Sequence, residues 1–252
     1  MFELAGGLAL AAIPALPILA WILVLDRKRP EPIGLVGMAL ALGLLTVLPA
    51  GLIEGGLSLV LPEGTSLGSR LVQAFFVAAL VEEGVKLAFL KRFLDSRPEF
   101  DEVADGMVYA IALSLGFAIV ENFLYTWNRP ELLLARSLTA VPLHAIATGL
   151  MGYQLGVGHL RSRHAQLGLE ATGLAGTLPG GLPQGGWKAG LAIAVGTHGL
   201  YDFLLLQGGF GALLVLPLLA LGALALRRRF ALAKSFDGHF ATDADTDNDH
   251  PR

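Results

Sequence analysis

The sequence contains no cysteine, which excludes disulfides, thiol nucleophiles and thiolate-bound metals together and leaves the redox compartment open. Charge is scarce as well. Only 15% of the 252 residues are Asp, Glu, Lys or Arg, against roughly 25% in an average soluble domain. With 54% of the residues apolar and a mean hydropathy of +0.63, the composition excludes a soluble globular protein. Net charge is −3 and no basic patch lies among the apolar segments, so no nucleic-acid partner is expected. Met1-Phe2-Glu3-Leu4 carries no basic residue and the apolar run behind it exceeds a signal core, so the first segment reads as a retained helix rather than a cleaved leader.

What the chain has is apolar stretches of membrane-crossing length. Charges and turn formers separate about seven of them, near Leu4–Leu25, Ile33–Ile53, Leu67–Leu90, Val103–Tyr125, Leu132–Leu160, Trp187–Leu206 and Phe210–Leu226. Pro14, Pro17, Pro49, Pro142 and Pro217 fall inside them, and membrane helices accommodate proline with local kinks. The expected fold is all-α: a polytopic bundle of about seven transmembrane helices in a lipid bilayer.

Basic residues orient it. Arg27, Lys28 and Arg29 follow the first stretch, and Lys91, Arg92 and Arg97 the third. Arg161, Arg163 and Lys188 lie between the fifth and sixth, and Arg227, Arg228, Arg229, Lys234 and Arg252 follow the seventh. The opposite side holds only Arg70, Arg129 and Arg136. The amino terminus is therefore expected outside and the carboxyl terminus in the cytoplasm.

Residues 1–235 read as one transmembrane domain, and residues 236–252 as a disordered acidic tail. The LAGTLPGGLPQGG run before Trp187 reads as a flexible linker. Asp243-Ala244-Asp245-Thr246-Asp247 begins like a calcium loop, but Asn248 stands where glycine is needed and the twelfth position is missing, so calcium binding is not expected. His159, His164, His239 and His250 are expected to be solvated.

The informative residues are those placed where charge is costly. A charged side chain at a helix centre in the bilayer is unfavourable by roughly 2.5–3.5 kcal/mol, so such groups pair and usually mark function. Glu82, Glu83 and Lys86 lie in the third stretch, Glu121 and Asn122 in the fourth, His144 and Thr148 in the fifth, and His198 and Asp202 in the sixth. Glu82/Lys86, His144/Thr148 and His198/Asp202 are each four apart, so each pair shares a helix face. Glu83 lies about 100° from Glu82 and is expected to have different partners. Counting from the ends of the stretches puts Glu82, His144 and His198 near mid-membrane and Glu121 nearer the outer surface. A polar lock between helices would use the same groups, yet this many on four neighbouring stretches favour a common site between residues 67 and 206. Two carboxylates and two imidazoles supply a general base and oxyanion donors, or metal ligands; Lys86 and Asp202 read as their supports.

Known intramembrane chemistries narrow the choice. Neither His144-Ala-Ile-Ala-Thr148 nor His198-Gly-Leu-Tyr-Asp202 is the HExxH of a zinc protease. Ser114 in ALSLGF lacks a nucleophile turn, and no GxGD accompanies Tyr201-Asp202. A glutamate-activated water supported by histidines has every residue type it needs.

These residues resemble a known family. Glu82-Glu83-Gly-Val-Lys86 resembles the EExxK motif of the PrsW family of bacterial intramembrane proteases, Phe117-Ala-Ile-Val-Glu121 with Asn122 its FxxxE(N) element, and His198-Gly-Leu-Tyr-Asp202 its HxxxD element. His144 in PLHAIATG is similar to a further histidine-bearing helix, and Asp105-Gly106-Met-Val-Tyr109 to the DGxVY that opens the FxxxE helix. Lys86, Glu121 and Asp202 differ from the EExxxR, FxxxH and HxxxN patterns of the related CAAX prenyl proteases. The resemblance implies an intramembrane endopeptidase in the bacterial inner membrane that acts on membrane-associated proteins, of which anti-sigma-factor-like proteins are one class. It implies catalytic roles for Glu82, Glu83, His144 and His198, with Lys86, Glu121, Asn122 and Asp202 in support. Either the water is activated by Glu82 or Glu83 alone, or His144, His198 and Glu121 hold a zinc ion. Two rival readings use the same residues: an ion-coupled transporter, which would show internal repeats, and a non-catalytic scaffold.

Overall fold

The computed structural model describes residues 4–61, 64–166 and 185–247, and among the described residues the chain is helical, with no strand. The helices are α1 (Leu4–Ala12), α2 (Ala15–Leu25), α3 (Ile33–Val60), α4 (Leu67–Leu71), α5 (Leu80–Leu94), α6 (Val103–Thr126), α7 (Leu133–Gln166), α8 (Trp187–Gln207), α9 (Gly209–Leu213) and α10 (Val215–Asp247). A π-helical stretch, Val72–Ala79, joins α4 to α5. Every expected apolar stretch is thus helical. By length and composition five helices are suited to cross a membrane, or six if α1 and α2, bent by 41° at Pro14, count as one. The α4–α5 segment falls outside that number because Arg70, Glu82, Glu83 and Lys86 interrupt its apolar run. Leu52, Leu59, Phe210 and Leu221 stand exposed on the outside of the bundle, where lipid rather than water suits them. Most of the LAGTLPGGLPQGG run lies outside the described residues.

The axis of the bundle is α6, which is buried along nearly its whole length. Its neighbours approach at glycines. A Cβ on Gly43 of α3 would lie 1.8 Å from the Leu113 carbonyl oxygen, and one on Gly116 of α6 would lie 2.0 Å from that of Leu40. On the other side, a Cβ on Gly152 of α7 would lie 2.2 Å from the Gly106 carbonyl oxygen. Small residues let helix backbones touch in membranes, where packing and not hydrophobicity drives association. These two crossings bring α3, α6 and α7 close enough for short side chains to meet.

Where α2, α6 and α10 meet, a polar clasp ties three segments together. Glu102 caps α6, and Asp105 Oδ2 accepts from the Glu102 and Asp101 amides at 2.6 and 3.0 Å. Asp237 of α10 accepts from Val103 N at 2.9 Å and Ala104 N at 3.2 Å, and Lys234 bridges Asp26 (2.8 Å) and Glu102 (3.2 Å). Tyr109 donates to Glu31. The DGxVY sequence is therefore a structural device: Asp105 caps, Gly106 admits α7, and Tyr109 anchors the α2–α3 turn. Helix α10 runs on to Asp247, past the boundary at residue 235 that composition suggested, with Asp237 holding it against α6. His159, expected in solvent, is half-buried with its ring 4.3 Å from that of Phe100. The side chains of His164 and His239, and all of His250, lie outside the described residues.

Candidate active site

The costly polar residues converge. The π-helical stretch immediately precedes α5, and such turns recur at functional sites. One turn on, Glu82, Glu83 and Lys86 point into the bundle, all buried. Lys86 is the hub: its Nζ lies 3.1 Å from Glu82 Oε2, 2.8 Å from Glu83 Oε1 and 3.0 Å from His144 Nδ1, and 3.8 Å above the Phe117 ring. The two glutamates therefore share one partner, because a long lysine reaches both its i−3 and i−4 neighbours. Beyond it they differ, as their positions on the helix suggested. Glu83 also meets His198 Nδ1 at 3.0 Å and accepts from Thr148 Oγ1 at 2.9 Å. Among the described residues the ion pairs of Glu82 run through Oε2, with His144 Nδ1 and His198 Nε2 each 4.0 Å away.

Each histidine is held from behind by a second carboxylate. His144 Nε2 lies 2.7 Å from Glu121 Oε2, and His198 Nε2 lies 3.3 Å from Asp202 Oδ2. An ammonium can only donate, so His144 Nδ1 accepts from Lys86 and Nε2–H donates to Glu121, which sets a neutral tautomer. His198 stands between two carboxylates, with Glu83 on its Nδ1 and Asp202 facing its Nε2. The rings lie 5.1 Å apart, nearly perpendicular.

Every candidate named from the sequence except Asn122 is in this cluster or one contact from it. Although Glu121 counted as nearer the outer surface, it reaches His144. It stands behind that ring rather than beside His198 as a third metal ligand. Asn122 lies further out, its Oδ1 accepting from Arg136 Nε at 3.0 Å. Arg136 itself, which sequence counting treated as a flanking charge, pairs with Glu121 at 3.0 Å. Phe117 and Thr148 also serve the site, the first under Lys86 and the second on Glu83. Their sequence signals were the first position of FxxxE and the i,i+4 spacing from His144.

The donors present suit a metal. Glu82, Glu83, His144 and His198 each offer a ligand atom within 4.8 Å of the others, and two imidazoles with two carboxylates are a set that zinc accepts. The Lys86 ammonium and the His198 N–H now engage those same donors, so an ion would have to displace them.

A helical membrane bundle whose buried carboxylates and imidazoles gather at one site has the architecture of an intramembrane hydrolase. The family described as PrsW family intramembrane metalloprotease matches residues 31–225, and the chain belongs to it. It is 34% identical over 217 residues to Protease PrsW of Geobacillus kaustophilus, covering 85% of this chain and 87% of that one. The Oceanobacillus iheyensis Protease PrsW is 34% identical over 219 residues, 86% and 89% of the two chains. That of Bacillus subtilis is 30% identical over 155 residues, 61% and 69%. No solved structure matches the chain significantly. The protein is thus a membrane-embedded protease, its substrates are membrane proteins, and the transporter reading is not favoured.

Proposed function

We propose that this protein hydrolyses a peptide bond of a membrane-protein substrate in the bacterial inner membrane with a water activated by Glu82. The observation that carries this is the meeting of Glu82, Glu83, His144 and His198, all buried, from three helices. Between the glutamates, Glu82 is the better base. Both oxygens of Glu83 are engaged, by Lys86, His198 and Thr148, whereas Oε1 of Glu82 accepts no hydrogen bond among the described residues.

Glu82 takes a proton from water as the oxygen attacks the carbonyl carbon. The resulting oxyanion accepts hydrogen bonds from the donors beside it, Lys86 and His198, which are already positioned. As the C–N bond breaks, the leaving nitrogen takes the proton from Glu82. His144, its tautomer set by Glu121, holds Lys86 in line, and Asp202 orients His198. The same four side chains, Glu82, Glu83, His144 and His198, would hold a zinc ion, which when bound polarises the carbonyl and acidifies water. The distribution of Lys and Arg supports an external amino terminus and a cytoplasmic carboxyl terminus.

The test is cleavage of a labelled transmembrane peptide by the purified full-length protein in nanodiscs. Glu82→Gln should abolish it; an unchanged rate in Glu82→Gln overturns Glu82 as the base, and unchanged rates in both Glu82→Gln and Glu83→Gln overturn glutamate activation altogether. Metal content by mass spectrometry, with rates before and after chelation, assigns or removes the zinc role.

A further inference from the structure

Each acidic side chain of the active site has a partner in the chain. Glu82 and Glu83 have Lys86, Glu121 has Arg136 and His144, and Asp202 has His198. Glu54 of α3 is the exception. Among the described residues no hydrogen bond or ion pair reaches it, and its Oε1 is buried without a donor. Its place on α3 puts it on the face that packs against the site.

The helix explains the placement. Val47 and Ala50 of α3 are buried against Phe117, beside Val81, Val85 and Val120. Glu54 follows Ala50 by four residues on the same face, as Glu121 follows Phe117 on α6. Two adjacent apolar stripes thus end in carboxylates at the same end of the bundle. α3 continues to Val60, so Glu54 lies within the helix and not in a loop, as an end at Ile53 would have had it. It is partly exposed and able to meet an incoming group.

A buried carboxylate oxygen without a donor is unfavourable, because its lost hydration is not replaced. The acidic groups here outnumber the cationic groups Lys86 and Arg136, so the ligand that best relieves Glu54 is a cation. We infer that Glu54 is a specificity-determining residue that receives a Lys or Arg side chain of the substrate on the outer side of the scissile bond. The inference rests on the protease reading above.

The probes are a Leu/Ala transmembrane peptide with one Lys in its outer third and its Gln and Glu counterparts, bound to the full-length protein in nanodiscs. Affinity is measured in the Glu82→Gln background, so that turnover does not intrude. The Lys peptide should bind about tenfold more tightly than the Gln peptide. Adding Glu54→Gln should erase the difference, and adding Glu54→Lys should transfer it to the Glu peptide. A Lys preference that survives Glu54→Gln, or no preference at all, overturns the inference. With Glu82 intact, the kcat/KM ratio of Lys to Gln peptides should fall to about one in Glu54→Gln. Loss of cleavage of both peptides alike would make Glu54 a positioning residue and also overturn it. A Glu54-dependent binding preference with no cleavage by the wild-type chain sinks the protease mechanism and, with it, the scissile-bond part of this inference, leaving Glu54 as a receiver of cationic side chains.

Discussion

Two buried networks of charge stand in this molecule, and they are built differently. In the clasp the carboxylates mostly serve backbone: Asp105 and Asp237 together accept four amide hydrogens at and just before the start of α6. In the active site every hydrogen bond joins one side chain to another. The site uses two histidines, His144 between Lys86 and Glu121 and His198 between Glu83 and Asp202. Buried charge alone therefore does not mark a catalytic centre. Carboxylates consumed by backbone amides fix a helix terminus, whereas carboxylates held by movable, protonatable side chains can exchange protons with a substrate.

The largest effect should separate the networks by activity. Glu82→Gln should lower kcat by about a thousandfold or more, in the range expected for a lost general base, with the melting temperature within a few degrees of wild type. Any variant of the clasp that still folds should keep its turnover per folded molecule. If Glu82→Gln retains wild-type turnover, the contrast fails at its centre.

Next in size is a loss of stability. Lys86→Met leaves Glu82 and Glu83 buried without their shared cation, and breaking a buried pair is unfavourable by about 3–5 kcal/mol. Detergent-based unfolding should register that loss. The double variant Lys86→Met/Glu83→Gln should recover part of it, because one uncompensated charge is gone.

The clasp should respond to pH in a way of its own. Burial, reinforced by Glu102, pushes the Asp237 carboxyl up to about 6, against the pull of the Val103 and Ala104 amides. Burial likewise raises Glu31. A carboxyl raised from 3.8 contributes stability that is complete below that value and lost as pH rises through about 6. Thermal stability should therefore fall between about pH 4 and pH 7, by on the order of 3 kcal/mol from Asp237. Asp237→Asn should flatten that part of the curve; an unchanged slope would remove Asp237 as its source.

The smallest effect belongs at the rim of the clasp. Arg29 meets Glu102 and Asp101 with its side chain about half exposed, and exposed pairs contribute about 1 kcal/mol or less. Arg29→Met should shift the melting temperature slightly and leave cleavage unchanged. A large loss would mean that the clasp depends on its solvent edge rather than on Asp105 and Asp237.

The contrast also shows how far the residues could be read in advance. Glu82, Glu83, Lys86, His144, Thr148, His198 and Asp202 were legible because charge inside an apolar run is conspicuous and i,i+4 spacing assigns a face. Arg136 was not, since it sits near the start of α7 and resembles a flanking charge until Glu121 is seen beside it. Glu54 lay just beyond the apolar run of its stretch, and only the length of α3 takes it inside. Asp105 and Tyr109 were visible as a pattern. Their partners, the backbone amides of Asp101 and Glu102 and the side chain of Glu31, were not marked by that pattern, because the fold of the chain before α6 and the return of the α2–α3 turn bring them there.

Composition and order were enough to determine a helical membrane protein with its costly charges on four neighbouring segments, because hydropathy and helical periodicity are local properties of the chain. Which glutamate keeps a free oxygen, which tautomer His144 adopts and why Glu54 lacks a donor were decided by tertiary structure. Those depend on distances of a few ångströms between helices, set by backbone contact at Gly43, Gly116 and Gly152, and no spacing within one helix encodes them.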